Sequence, residues 1–269
     1  MALHVQKYGD VTRLRMSSAG GRATGYDVST YIVRGVMVDT GFYHARHALV
    51  HAVDSLHVRG AIVTHWHEDH AGNAGLLAGR GLPILARPDT EAILRDRPHI
   101  RLYRRVIWGH QPAFASPLVA FDAGSLRTIH TPGHSLDHQV VLDEETGTLF
   151  SGDLWLGVHA RTLHASEDPY QIIESLQIVR ALAPDRMFDA HRGFVERPVH
   201  SITAKIEWLG ETLQTVERRV AAGDGDRAIV REVLGGEELA ATVSFGDYSR
   251  ENLVKALRAD VQTMRGWWR

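Results

Sequence analysis

The chain has 269 residues, enough to bury a large core, and its 44% hydrophobic and 23% charged residues are those of an ordinary globular protein. Its formal charge of −2 gives no overall positive field for nucleic acid. It has no cysteine, which excludes disulfides and thiolate ligands, so any metal must be held by nitrogen and oxygen atoms. No apolar run reaches membrane-spanning length and the N-terminus lacks the apolar segment of a signal peptide, so we expect a cytoplasmic location and no membrane partner.

In chain order, the first half predicts alternating strands and helices. Runs of β-branched and apolar residues predict strands, and apolar residues spaced by three and four predict amphipathic helices. The predicted strands are 11–16, 26–34, 36–41, 60–64 and 83–86. A glycine-rich turn at Gly20-Gly21 separates the first two, and helices are expected at 44–57 and from Gly72 through Leu77. This alternation is typical of an α/β fold.

The second half repeats this layout, with strands followed by a covering helix. Strands are predicted at 126–130, 139–142, 148–150 and 186–190, and a helix at 169–182. The sequence Glu144-Glu145-Thr146-Gly147 is suited to the hairpin turn between two of these strands.

From Pro198 onward the composition changes, and helices are predicted at 199–220, 228–234 and 250–261. We therefore divide the chain into a main domain, 1–197, and a helical C-terminal extension, 198–269. The apolar stripe on the long helix 199–220 would dock on the chain's own core, and the alternative is the seam of a homodimer. With ten Lys/Arg against eleven Asp/Glu, the extension is a poor surface for phosphates.

The most informative stretch is His65-Trp66-His67-Glu68-Asp69-His70, in which four metal-ligand side chains fall within six residues. It directly follows the predicted strand 60–64, so His65 should lie where that strand ends. In an extended segment, side chains at i and i+2 point to the same side, so His65 and His67 can converge on one ion. Asp69 and His70 open the next helix and could serve a second ion. A helix-capping role accounts for Asp69 alone but not for the whole set, so the motif predicts a metal site.

Three further His or Asp residues follow predicted strands of the second half. His134 lies in the loop Thr131-Pro132-Gly133-His134-Ser135, Asp153 in Ser151-Gly152-Asp153, and His191 in Asp189-Ala190-His191. Loop residues on a rigid scaffold are the usual carriers of chemistry. With 17 histidines in the chain, however, a single one of these is no evidence of a ligand.

Taken together and in this order, the motifs resemble those of the metallo-β-lactamase superfamily. The resemblance spans residues 39–191 and implies an αβ/βα sandwich with the metals at one rim. It implies that one ion is held by His65, His67 and His134, that a second is held by Asp69, His70 and His191, and that Asp153 bridges both. Asp39 matches a family aspartate that supports the metal loop. Asp69 and Asp153 are also the expected catalytic residues.

The donor set agrees with this resemblance on chemical grounds. Imidazole and carboxylate without thiolate suit zinc, although manganese and iron use the same donors. Two Zn²⁺ ions bridged by Asp153 would lower the pKa of a shared water and hold it as hydroxide for attack on a carbonyl or phosphoryl centre. We therefore predict a dinuclear zinc hydrolase whose substrate is a small ester, thioester or lactone.

Several alternatives stay open at this point. Thioesterases of the glyoxalase II type, lactonases and nucleases of the superfamily carry the same ligands. The helical extension loosely resembles that of an endoribonuclease with a winged-helix-like C-terminus, so RNA cleavage is the second candidate and nucleic acid the less favoured partner. A mononuclear iron dioxygenase and a non-catalytic binding module are further alternatives, and the complete ligand set argues against both.

Side chains near the motif could contact the substrate. Five arginines fall within 95–105, namely Arg95, Arg97, Arg101, Arg104 and Arg105. They predict either a solvated helix face or a lid that meets an anionic substrate. If the substrate is a neutral ester or lactone, replacing Arg101, Arg104 and Arg105 with alanine should leave its hydrolysis nearly unchanged, whereas an RNA substrate would lose affinity. Arg192, His159 and His164 could face the site or the surface.

Overall fold

Two β-sheets form the centre of the computed structural model, which describes residues 2–18, 27–96, 100–115, 119 and 121–267. The first sheet contains six strands in chain order: β1 (Ala2–Tyr8), β2 (Val11–Ser17), β3 (Val28–Val33), β4 (Val36–Val38), β5 (Gly60–Ile62) and β6 (Ile84–Leu85). β1 to β4 pair antiparallel, whereas β4, β5 and β6 pair parallel. The connections from β4 to β5 and from β5 to β6 each contain a helix, because the chain must cross over the sheet before it can start a parallel strand.

The second sheet has five strands: β7 (Leu126–His130), β8 (Gln139–Asp143), β9 (Thr148–Phe150), β11 (Arg186–Asp189) and β12 (Gly193–Val195), while β10 (Leu163–His164) lies outside it. Their order across the sheet is β12-β11-β9-β8-β7. β8 runs antiparallel to both β7 and β9, and β9 is parallel to β11. It follows that β7, β9 and β11 all run in the same direction, so their carboxyl ends meet at one edge of the sandwich.

The helices cover the outer faces of the two sheets. After a 3₁₀ turn at Tyr43–Ala45 come α1 (Arg46–Ser55), α2 (Ala74–Gly79), α3 (Pro88–Asp96), α4 (Leu102–Trp108), α5 (Pro169–Ala181), α6 (Pro198–Ala221), α7 (Asp226–Glu232), α8 (Leu239–Val243) and α9 (Arg250–Trp267). A cluster that includes Tyr31, Ile62, Phe150 and Phe188 fills the space between the sheets. A second cluster lies between the first sheet and α1 to α4, and a third lies between the second sheet and α5, α6, α7 and α9. These layers confirm the predicted αβ/βα sandwich with a C-terminal helical extension.

The extension shares its core with the second sheet. Ile202, Leu209 and Leu213 of α6 are buried in the same cluster as Ile172 and Leu176 of α5. A short strand, β13 (Tyr248–Ser249), pairs antiparallel with β10. The apolar stripe of α6 is therefore covered within this chain, as the favoured interpretation expected. No helix in the described part of the chain has the length and apolar composition needed to cross a membrane.

Element boundaries differ from the sequence prediction in a few places. The predicted helix from Gly72 begins only at Ala74, because Gly72 closes the preceding loop: a Cβ there would lie 2.2 Å from the carbonyl oxygen of Glu68 and 2.7 Å from that of Gly41. Strands β1, β12 and the β10–β13 pair were not predicted, since each is short or mostly polar. The Gly20-Gly21 turn lies outside the described residues.

Candidate metal centre

The predicted ligands lie in loops at the carboxyl ends of the central strands. His65 follows β5, His134 follows β7, Asp153 follows β9 and His191 follows β11. Because β7, β9 and β11 run in one direction, their following loops meet at the same edge, opposite the loop after β5. Residues more than a hundred positions apart are thereby brought into one site.

The first group of ligand atoms consists of His65, His67, His134 and Asp153, all buried, with ligand atoms within 4.8 Å of one another. Nδ1 of His67 lies 3.0 Å from Nε2 of His65 and 3.0 Å from Nε2 of His134. Oδ2 of Asp153 lies 3.4 Å from Nε2 of His134. Three imidazole nitrogens and one carboxylate oxygen thus face a common point.

The second group consists of Asp69, His70 and His191, again with ligand atoms within 4.8 Å of one another. Nε2 of His191 lies 3.6 Å from Oδ2 of Asp69. The other oxygen of Asp153, Oδ1, lies 3.2 Å from Nε2 of His70 and 3.3 Å from Nε2 of His191. Asp153 therefore directs one carboxylate oxygen toward each group.

The chemistry of these groups fits a pair of divalent cations. Nε2 of His70 and Oδ1 of Asp153 are buried and make no hydrogen bond among the described residues, although buried polar atoms normally have a partner. Burial lowers the pKa of His65 and His67 well below the ordinary histidine value, so these rings are neutral, as metal ligation requires. Burial also lowers the pKa of His191, but the Asp153 carboxylate outweighs it and raises the value to about 9. The carboxylates of Asp153 and Asp69 thus favour positive charge at this point, which bound cations would also supply.

Hydrogen bonds orient the ligand rings so that the correct nitrogen faces the centre. Oδ2 of Asp39 lies 2.8 Å from Nδ1 of His70 and 3.0 Å from Oγ1 of Thr64. Since the Thr64 hydroxyl donates to Asp39, it accepts from Nδ1 of His65 at 3.0 Å. Since Nδ1 of each ring is engaged in these contacts, Nε2 is the nitrogen that faces the centre. Asp39 thus contacts His70 and the residue that precedes His65, as the family resemblance implies, and its φ of 62° shows an unusual backbone conformation at that point.

Two of the remaining three rings, those of His134 and His191, contact groups that the sequence reasoning missed. Nδ1 of His134 lies 3.3 Å from Oε1 of Glu167. Nδ1 of His191 donates to the backbone carbonyl of Asp27 at 2.7 Å. Glu167 follows His134 by 33 residues in a loop without a recognisable motif, so no sequence pattern marked it.

Two more missed residues hold the ligand loops in place. Oδ1 of Asp189 accepts the backbone N–H of His191 at 2.9 Å, and its Oδ2 accepts that of Leu156 at 2.9 Å. Nε2 of His138 accepts the backbone N–H of Asp153 at 3.1 Å. Burial lowers the pKa of His138 to about 3, which keeps Nε2 unprotonated for that role. The position of Asp189 two residues before His191 was the one sequence feature that could have indicated its role.

The arginine-rich stretch is not a uniform solvated face. Arg104 is only 6% exposed. Its Nη2 donates to Oε2 of Glu68 at 2.7 Å and its Nε lies 2.5 Å from Oε1. Burial raises the pKa of Glu68 while the Arg104 guanidinium opposes that rise. The interpretation as a solvated helix face is therefore wrong for Arg104. Its removal would leave a buried carboxylate unpaired between two of the predicted ligands.

The other described arginines of this stretch lie near the surface. Arg95 pairs with Glu91 at 2.6 Å and Arg101 with Asp247 at 3.1 Å, while Arg105 is exposed. Arg97 lies outside the described residues. Arg95 and Arg101 thus form ion pairs with carboxylates of this chain, and their side chains do not line the cavity.

The three residues that the sequence left open lie beside the site rather than in it. Nε of Arg192 donates to the carbonyl of Leu156 at 3.1 Å. His159 packs edge-on against Trp208, and Nδ1 of His164 lies 2.7 Å from the hydroxyl of Ser166. None of the three is among the described residues that line the cavity at the ligand groups.

That cavity has a volume of about 370 Å³ and opens beside both ligand groups, with His67, Asp69 and Asp153 in its wall. Its opposite wall is formed by α4 and by the segment 238–248 of the extension. A cavity of this size, next to a cluster of metal-binding side chains, suits a small-molecule substrate.

Comparison with known proteins agrees with this geometry. Residues 23–191 match the sequence profile of the metallo-beta-lactamase superfamily. The beta-lactamase-like protein 2 homolog of Drosophila melanogaster is 30% identical over 205 residues, which cover 70% of this chain and 66% of the fly protein. An atrochrysone carboxyl ACP thioesterase of Passalora fulva is 30% identical over 189 residues, covering 65% of this chain but only 51% of that protein. The chain thus spans between half and two thirds of the length of these relatives.

A solved structure of a metallo-beta-lactamase family protein from Thermus thermophilus superposes with a TM-score of 0.68 at 19% identity, covering 93% of this chain and 94% of its own. The fold and the site together define a metal-dependent hydrolase. With the profile match extending over residues 23–191, the chain belongs to the metallo-β-lactamase superfamily.

Proposed function

We propose that this protein is a dinuclear zinc hydrolase that cleaves a small ester, thioester or lactone. The observation that carries the proposal is the orientation of Asp153. Its Oδ2 faces the group of His65, His67 and His134, and its Oδ1 faces His70 and His191 at 3.2 and 3.3 Å. A carboxylate that serves two groups of donors is suited to two ions, whereas a mononuclear iron dioxygenase would need one group only.

The residues divide the work as follows. His65, His67, His134 and Asp153 would hold one zinc ion, and Asp69, His70, His191 and Asp153 the other. Two such ions would supply an activated water and neutralise the negative charge that develops on the substrate oxygen. Asp69 lines the cavity, so its carboxylate would take the proton of the attacking water. Asp39 and Glu167 fix the rings of His70 and His134 while this happens.

The substrate class is supported by the charge of the cavity and by the relatives. None of the described residues that line the cavity is Lys or Arg. RNA cleavage relies on phosphate contacts beyond the scissile bond, so the endoribonuclease alternative ranks second. The similarity to a protein named as an acyl carrier protein thioesterase favours acyl transfer to water.

We keep residues 1–197 as the hydrolase domain and 198–269 as its extension. Because the apolar stripe of α6 is buried against α5, we propose that the extension packs on its own domain rather than forming the seam of a homodimer.

The direct test is metal analysis combined with a substrate panel. The purified protein should bind two equivalents of zinc, and it should hydrolyse members of a panel of esters, thioesters and lactones but not single-stranded RNA at physiological salt. Binding of two ions with cleavage of RNA alone would replace the proposed reaction with the phosphodiesterase alternative. A single bound ion would reject the dinuclear centre.

A further inference from the structure

The cavity beside the ligand groups has one polar wall and one apolar wall. The apolar wall is contributed by Ile107 and Trp108 of α4 and by Leu239 and Val243 of α8, with Leu156 from the loop after Asp153. Trp108 is 8% exposed, whereas Leu239 is 71% exposed and lies at the opening. An apolar group placed here would cover side chains that otherwise face water, which is favourable in proportion to the area covered.

The charged side chains that line the cavity argue against an anionic group beside the apolar wall. Besides the ligands, the charged side chains that line it are Glu167 and Glu238, both acidic. The nearby cation Arg104 is paired with Glu68 and is not part of the lining. A carboxylate or phosphate in the apolar half would therefore lose its hydration without meeting a Lys or Arg of the described lining, a cost that an uncharged apolar chain does not have.

The wall from the extension is held in place on both sides. The hydroxyl of Tyr103 on α4 donates to Oδ2 of Asp247 at 3.0 Å, and Arg101 pairs with Oδ1 of the same residue. On the other side, β13 pairs with β10 in the loop that follows Asp153. Because these contacts already fix the wall, a ligand would enter a formed cavity and lose little to ordering it.

We propose that the substrate is an open-chain acyl thioester or ester, and that its apolar acyl chain lies along this wall with Leu239 and Val243 limiting its length. This inference rests on the proposed hydrolase function and names its substrate class. In the reaction, the oxygen of water bonds to the acyl carbon and the C–S or C–O bond breaks. One proton of the water leaves with the thiol or alcohol. The acid is released as a carboxylate, and the second proton of the water passes to solvent.

The first test measures kcat/KM of the zinc-loaded protein for acetyl, butanoyl, hexanoyl, octanoyl and palmitoyl thioesters of one thiol, with the matching oxoesters in parallel. Each methylene that enters the cavity should raise kcat/KM by roughly fourfold, until the chain exceeds the cavity. The two series differ in the leaving group alone, so their comparison decides between thioester and ester. A flat profile in both series would overturn the inference.

The second test fills the cavity from the extension. Leu239→Trp should lower kcat/KM for the octanoyl substrate at least tenfold more than kcat/KM for the acetyl substrate. Leu239 is exposed and α8 has no buried residue, so the substitution does not threaten folding. Ile178→Trp is the matched control, since Ile178 is an exposed apolar helix residue, 46% accessible, that does not line the cavity. An equal loss for both chain lengths, or an equal effect of the control, would contradict the assigned role.

A binding measurement separates this inference from the proposed function. Calorimetric titration with octanamide, which is uncharged and is not hydrolysed as an ester, should show binding with a negative heat-capacity change that Leu239→Trp weakens at least tenfold. Turnover of acetyl thioester without octanamide binding would reject the acyl-chain wall and retain the hydrolase. Octanamide binding without turnover of any ester or thioester would retain the cavity assignment and reject the proposed reaction.

Discussion

Replacing Arg104 with alanine gives a sharp test of how the metal loop is held. Arg104 and Glu68 form a buried pair with two short contacts, at 2.5 and 2.7 Å, and the side chain of Glu68 is 1% exposed. Glu68 stands between the ligands His67 and Asp69. Its carboxylate, once unpaired, would either remain buried without a partner or move and carry the loop with it.

The magnitude follows from the burial of the pair. Removing one partner of a buried ion pair costs about 3–5 kcal/mol, because the other charge is left uncompensated. For a chain of this size that corresponds to a fall in Tm of roughly 10 °C. We expect urea denaturation of Arg104→Ala to show a loss in this range at constant m-value. Zinc affinity should also fall, by about 10–100-fold, since Glu68 no longer fixes the neighbouring ligands.

Two controls distinguish an ion pair from simple loss of packing. Arg105→Ala removes an exposed arginine of the same helix and should change stability by less than about 0.5 kcal/mol. The double variant Arg104→Met, Glu68→Met removes both charges and should be more stable than Arg104→Ala, because no buried charge is left over. If Arg104→Ala matches Arg105→Ala, or if the double variant is no better than the single one, the reasoning is refuted.

Elemental analysis should find two equivalents of divalent metal, and Asp153→Ala should lower occupancy at both groups; one equivalent of iron with oxygen consumption would indicate the dioxygenase instead. Chelation should lower the free energy of unfolding by about 4 kcal/mol for each bound ion, relative to protein with free metal at a thousandfold excess over Kd, as urea denaturation would show. Burial lowers the pKa of Lys205 from 10.5 to about 8, so only the unfolded chain keeps that proton between these pH values. The wild type should therefore gain about 3 kcal/mol over Lys205→Met as pH rises from 8 to 10.5, and a constant difference in urea titrations would contradict this. Truncation after Arg197 uncovers the apolar face of α5 and should yield insoluble or much less stable protein, which a soluble, active fragment would disprove.

The ligand loops could be predicted because their signal is local. His65 and His67 are two residues apart after an apolar, β-branched run, so both the strand and the shared direction of the side chains follow from the sequence. Asp153 and His191 likewise follow short apolar runs. Parallel strands then bring these loops together, which is a property of the sheet and not of any single motif.

The supporting contacts could not be predicted in the same way. Glu167 reaches His134 across 33 positions and Tyr103 reaches Asp247 across 144, and neither residue type is unusual where it stands. Arg104 shows the limit most clearly. Arg101 and Arg105 lie in the same arginine-rich stretch, so the sequence gives no reason to treat the three differently. Of these three, only Arg104 is buried against the metal loop. A helix of seven residues is too short for its apolar pattern to show which arginine is buried.

The residues proposed to bind the metals and those proposed to choose the substrate lie in different parts of the chain. The ligand groups stand on strand ends within residues 65–191, where the core on both sides leaves little freedom to change them. The apolar wall depends instead on Leu239 and Val243, exposed residues of a short helix whose replacement costs the fold little. A change of substrate within this architecture would therefore arise most readily in the extension, with the metal centre unaltered. Function is then carried by the site and its walls rather than by the sandwich as such.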